Sequence, residues 1–195
     1  MTLQHQTCFA AAAFLCGSVP TAYIVGRVRG TDIRKHGSGN VGATNAFRVL
    51  GRGAGLFVFA VDFAKGCVPV LIFQRLGGDP DLAAWIGLAA ILGHVFTPFL
   101  GFKGGKGVAT GAGVLTACHP FLFAGALGVW IGCFLTTRIV SISSLASLAA
   151  VNVLACMAPV DNRTRIAFFL IFLLVAWTHR DNLARLRDGT EKKIS

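Results

Sequence analysis

The chain has 195 residues, 54% of them hydrophobic and 13% charged, with a net charge of +10 at neutral pH. So low a charged fraction, with a mean hydropathy of +0.69, excludes an ordinary water-soluble domain and points to one polytopic, all-α membrane domain over residues 1–195. Most basic residues lie between apolar segments, so topology and anionic lipid headgroups explain the charge before nucleic acid does.

The first apolar segment, about Thr7–Val28, follows an N-terminus without the basic stretch of a signal peptide, so it is expected to remain as a span. A polar hinge, Asp32–Arg48, comes next. Within it Gly37-Ser-Gly-Asn-Val-Gly42 fits G-x-G-x-x-G, but the charged run Arg27–His36 stands where a dinucleotide fold needs a strand. What remains is a glycine-rich turn whose N–H groups can face a phosphate. Ser38, Gly39, Asn40, Gly42, Thr44, Asn45 and Arg48 are its candidate phosphate-binding residues.

The second segment, about Ala54–Leu76, carries Asp62 and Lys65 three residues apart on one helical face. Charges inside a span are costly and are usually paired or functional, so these two are either an internal structural pair or part of a site. The third, about Leu82–Leu100, contains His94, a structural hydrogen-bonding residue or an acid–base group. It runs into a second hinge, Phe99-Leu-Gly-Phe-Lys-Gly-Gly-Lys-Gly-Val108. This is not a Walker A loop: the spacing is one short, and Gly107 replaces the residue that would hold Mg²⁺. Lys103, Gly104, Gly105 and Lys106 are candidates for phosphate binding, two ammonium groups among glycines that let an anion approach. Lysines that only snorkel toward the interface would not need the glycines.

The fourth segment, Val108–Cys118, is short and glycine-rich and is expected to be tilted, half-inserted or broken. The last three run about Pro120–Thr137, Ile142–Pro159 and Arg165–Thr178, and His179-Arg-Asp-Asn182 closes them. With the N-terminus outside, 14 of the 18 Lys and Arg face the cytoplasm, and only Arg75, Arg163 and Arg165 face outward. The positive-inside rule then gives about seven transmembrane helices, N-terminus outside and C-terminus cytoplasmic. Both hinges, Arg138–Ser144 and His179–Asn182 fall on the cytoplasmic side, as one site would require.

Several chemistries lack their parts. None of the five histidines has metal-ligand spacing and no cysteines form C-x-x-C, so no metal or cofactor is expected. No His-x₄-Asp and no Gly-x-Ser-x-Gly occurs. An exporter of phosphorylated anions would be favoured by an inverted repeat, and the two hinges are dissimilar.

Gly17-Ser-Val-Pro20 with Gly26, Gly37 to Asn45, Asp62-Phe-Ala-Lys-Gly66, Gly93-His94, Phe102 to Thr110 and His179 to Asn182 together closely resemble the PlsY family of bacterial acyl-phosphate:glycerol-3-phosphate acyltransferases. The resemblance covers nearly the whole chain. It implies a seven-span enzyme of the bacterial inner membrane, active in phospholipid synthesis, with its site facing the cytoplasm. Its substrates would be glycerol 3-phosphate and a fatty acyl phosphate, in a setting of membrane lipids and with no protein partner evident. The acyl group would pass to the sn-1 hydroxyl, giving lysophosphatidic acid and phosphate. Ser144, His179 and Asn182 join the substrate-binding candidates. The hydroxyl proton could go to His94, to His179 or to the departing phosphate.

Overall fold

A computed structural model describes residues 1–194, in which helices α1 (Leu3–Ser18) to α10 (Arg180–Arg187) occur and no strand. The intervening helices are α2 (Thr21–Val28), α3 (Ala43–Leu50), α4 (Arg52–Arg75), α5 (Ala83–Val95), α6 (Val108–Cys118), α7 (Pro120–Thr137), α8 (Val140–Met157) and α9 (Asn162–Thr178). They form two compact units, Met1–Cys118 and His119–Ser195.

In the first unit, the first expected span is one apolar stretch, Leu3–Val28, built from two helices, α1 and α2. The helix breaks at Val19-Pro20, because Pro20 has no N–H to continue the ladder. Two carbonyls at the break accept from distant side chains: Thr97 Oγ1 donates to Ser18 O at 2.6 Å, and Lys65 Nζ to Val19 O at 2.6 Å. The helices of this unit meet along glycines. A Cβ on Gly17 would strike the Ala90 carbonyl and one on Gly93 the Phe14 carbonyl, joining α1 to α5. Gly66 and Gly113 do the same between α4 and α6, against Thr110 and Phe63. In lipid there is no hydrophobic drive between helices, so close backbone approach supplies the attraction. Around the first hinge, Ala22, Ile33, Val41, Ala46 and Val58 form a buried core, and Leu100 of the second hinge packs on it. Leu100 thus packs on a core that the first hinge shares with α2 and α4.

In the second unit, α7 turns into α8 through Arg138, in the left-handed conformation at φ 59°. Asp161 caps α9 by accepting from Thr164 N at 2.9 Å, and Arg165 reaches back to the Ala155 and Ala158 carbonyls at the end of α8. The unit's outward side chains are largely apolar, including Phe121, Leu135, Val153 and Phe169, as a lipid-facing surface requires.

Of the seven spans expected, five helical stretches among the described residues are by themselves long and apolar enough to cross a bilayer, and six if the bent pair α9–α10 counts as one. The 11 residues of α6 rise only about 16 Å, roughly half the hydrocarbon core.

Candidate active site

The first hinge is organised by Asn45. Its Oδ1 accepts from Ser38 N at 2.8 Å, while Nδ2 donates to the Ile33 and His36 carbonyls at 3.2 and 3.1 Å. Gly37 must be glycine: its φ is +65°, and a Cβ would collide with Asn45 Oδ1. Asp32 caps the tight turn Ile33–Lys35 and grips Arg34, whose guanidinium stacks on Tyr23. The side-chain hydrogen bonds from Arg34 hold the Asp32 carboxyl well below the usual carboxylate range. Asn45, expected to touch phosphate, instead spends its amide on the loop. Ser38 is exposed, and Gly39, Asn40, Thr44 and Arg48 are half-buried. Gly42 starts α3 with no side-chain cap, so the first N–H groups of that helix have no capping oxygen from Gly42.

The second hinge is built differently from the bare cradle expected of it. Gly104 N donates to Val95 O at 2.9 Å and Gly105 N to His94 O at 3.1 Å, so neither N–H is offered to an anion. The glycines are required for proximity instead: a Cβ on Gly104 would meet the His94 carbonyl, and one on Gly105 the His94 Nε2. The chain folds tightly back on the end of α5. Lys103 is left exposed and Lys106 half-buried, next to the start of α6.

His94 is buried behind this hinge. Its Nδ1 lies 3.9 Å from Asp62 Oδ1, which pairs with Lys65 Nζ at 2.6 Å. Both Asp62 and Lys65 are buried.

In the second unit Ser144 is fully buried, and its hydroxyl accepts from Trp130 Nε1 at 3.3 Å. His179 Nδ1 is 2.8 Å from the Val175 carbonyl. A carbonyl only accepts, so Nδ1 carries the proton and Nε2 is the acceptor in the neutral ring. Asn182 Nδ2 donates to Glu191, as do Ser141 Oγ at 2.9 Å and Arg185 Nε at 2.7 Å.

Glu191 escaped the sequence reading. The available signal was its rarity, since it is the single glutamate of the chain. Burial pushes its carboxyl up, but the bonds from Asn182, Arg185 and Ser141 outweigh that and hold it below its ordinary 4.5. A depressed carboxylate stabilises the fold fully above its unfolded value, and that contribution is lost as pH falls through the folded one. Glu191→Gln is therefore expected to lower Tm in detergent at pH 7 by several degrees, at roughly 2–4 °C per kcal/mol for a chain of this size. The gap between variant and parent should close in acid below the carboxylate range.

Residues 7–189 match the family model for glycerol-3-phosphate acyltransferase. A glycerol-3-phosphate acyltransferase of Geobacter sulfurreducens is 45% identical over 193 residues, covering 97% of this chain and 98% of its own. One from Aquifex aeolicus is 39% identical over 183 residues, covering 93% and 95%. Two crystal structures of PlsY, described as an integral membrane glycerol 3-phosphate acyltransferase, superpose with TM-scores of 0.94 and 0.91 at 37% and 36% identity. Each covers 98% of this chain and 96% of its own; one is the glycerol 3-phosphate form and the other the lysophosphatidic acid form. Likeness over the full length, in sequence and in the path of the helices, puts this chain in the glycerol-3-phosphate acyltransferase family, as an integral-membrane acyltransferase of phospholipid synthesis.

Proposed function

We propose that the enzyme transfers a fatty acyl group from acyl phosphate to the sn-1 hydroxyl of glycerol 3-phosphate at the cytoplasmic face of the bacterial inner membrane, releasing lysophosphatidic acid and phosphate. In this reading the chain crosses the membrane seven times, α6 included, with the N-terminus outside and the C-terminus in the cytoplasm, as the distribution of basic residues favours. The observation that carries the proposal is the buried core that the first hinge shares with α2 and α4, on which Leu100 of the second hinge packs; in this reading Lys103 and Lys106 lie near the glycine turn that precedes α3 and near Arg48. The glycerol 3-phosphate and lysophosphatidic acid forms of the related PlsY structures support the acceptor and the product.

The chemistry asks little covalent help of the protein. The glycerol hydroxyl attacks the acyl carbon, the acyl C–O bond to phosphate breaks, and phosphate leaves with the electron pair. Phosphate is already a good leaving group, so placing two anionic substrates side by side against cationic side chains is the main task. Lys103, Lys106 and Arg48 supply charge, while Ser38, Asn40 and Thr44 supply neutral donors. Ser144, His179 and Asn182 are the remaining substrate-binding residues of this reading. The hydroxyl proton passes to the departing phosphate or to the imidazole of His94 or His179.

The test is direct. Purified enzyme given palmitoyl phosphate and glycerol 3-phosphate should form lysophosphatidic acid, whereas palmitoyl-CoA should give no product above background. Equal rates with the two donors would refute the acyl-phosphate assignment.

A further inference from the structure

Asp62 and Lys65 sit one helical turn apart in the middle of α4, each almost fully buried. Two charges so placed are costly unless their geometry does something that apolar side chains would not. Each has a second neighbour besides its partner. Lys65 donates to the Val19 carbonyl, at the break that Pro20 makes in the first span, where Thr21 N is the carbonyl's other donor. Asp62 Oδ1 contacts Lys65 as an ion pair, makes no directed hydrogen bond, and lies 3.9 Å from His94 Nδ1. The far edge of that imidazole is the surface on which Gly105 packs. At 3.9 Å the carboxylate makes no hydrogen bond to Nδ1, but its charge beside that edge of the ring favours the tautomer protonated there.

We propose that Asp62 and Lys65 are positioning residues: Lys65 holds the break between α1 and α2, Asp62 holds the His94 ring, and through that ring the pair sets the position of the lysine hinge. The break carries α2, whose Ala22 belongs to the core under the first hinge, and the His94 ring backs the second. One ion pair thus registers both hinges from behind, without touching substrate. The kinetic consequence rests on the acyl-transfer reading; the mechanical one does not.

The experiment therefore reads both. Asp62→Asn removes one charge and leaves Lys65 buried without its counterion. The double variant Asp62→Leu/Lys65→Met removes both, a replacement that commonly leaves stability intact. Each is purified in detergent, checked for monodispersity, and treated with trypsin with no substrate present. Cleavage after Lys103 and Lys106 is followed by mass spectrometry against cleavage in the Lys192-Lys193 tail. The folded double variant is expected to be cut at the hinge about tenfold faster with unchanged tail rates, because cleavage follows the population of the locally open form. Its kcat should fall about tenfold or more while KM for both substrates stays within about twofold, as misplacement of a reacting geometry predicts. A folded double variant with parental hinge cleavage would overturn the proposal. So would failure of both variants to fold, since the pair would then hold the fold rather than the hinge. Faster hinge cleavage with unchanged kcat would support the anchoring and instead refute the hinge as the reacting site.

Discussion

Gly105→Ala is expected to cost about a hundredfold in kcat, the scale on which a displacement of about 1 Å near reacting groups is felt. The added methyl is directed at His94 Nε2, and the ring has little room to yield. Its other edge faces Asp62, and the residue's own carbonyl accepts the Gly105 N–H. With the ring confined on both edges, the hinge lifts from α5 and carries Lys106 with it. The clash is confined to one turn, so insertion and extraction should match the parent. Steady-state kinetics with each substrate varied in turn, beside a size-exclusion profile, checks both halves. Near-normal turnover would mean that the hinge tolerates a shift of this size and that its geometry matters little to the reaction.

Lys106→Ala should lower kcat/KM by about tenfold to a hundredfold, the equivalent of a charge-assisted contact worth roughly 1.5–3 kcal/mol. Lys103→Ala should cost less, because Lys103 is exposed and Lys106 is half-buried, and screening weakens a solvated charge more. The order of the two effects is as informative as their size. Lysines that only mark topology would leave kinetics unchanged in both variants, since many other basic residues remain on the same side. Salt titration adds a check: raising ionic strength should erode the parent's kcat/KM more than that of Lys106→Ala.

The apolar segments were legible because composition alone identifies stretches that cannot live in water. The hinges were legible because Gly, Lys, Ser and Asn crowd where the membrane pattern lapses. What stayed hidden depended on partners far along the chain. Nothing local says that Gly104 and Gly105 give their N–H groups to α5, or that Asn45 spends its amide on the Ile33–Ser38 turn. The same holds for Glu191, whose partner Ser141 lies 50 residues earlier. Local pattern also gave no sign that the first span is made of two helices. Pro20 was visible, but proline is tolerated inside membrane helices such as α4, which keeps Pro69. The side chains of Thr97 and Lys65, far along the chain, donate to the carbonyls at the break.

The Glu191 clasp also has a timetable. Ser141 is synthesised 50 residues before the carboxylate that it will bind, an interval of roughly 3–10 s at about 5–20 residues per second. Throughout that interval the start of α8 exists without the residue that will tie it to α10. The start of α8 can therefore be joined to α10 through this carboxylate only after α9 and α10 have themselves been synthesised. A chain stalled before residue 191 would carry its helices but not the bond that closes them.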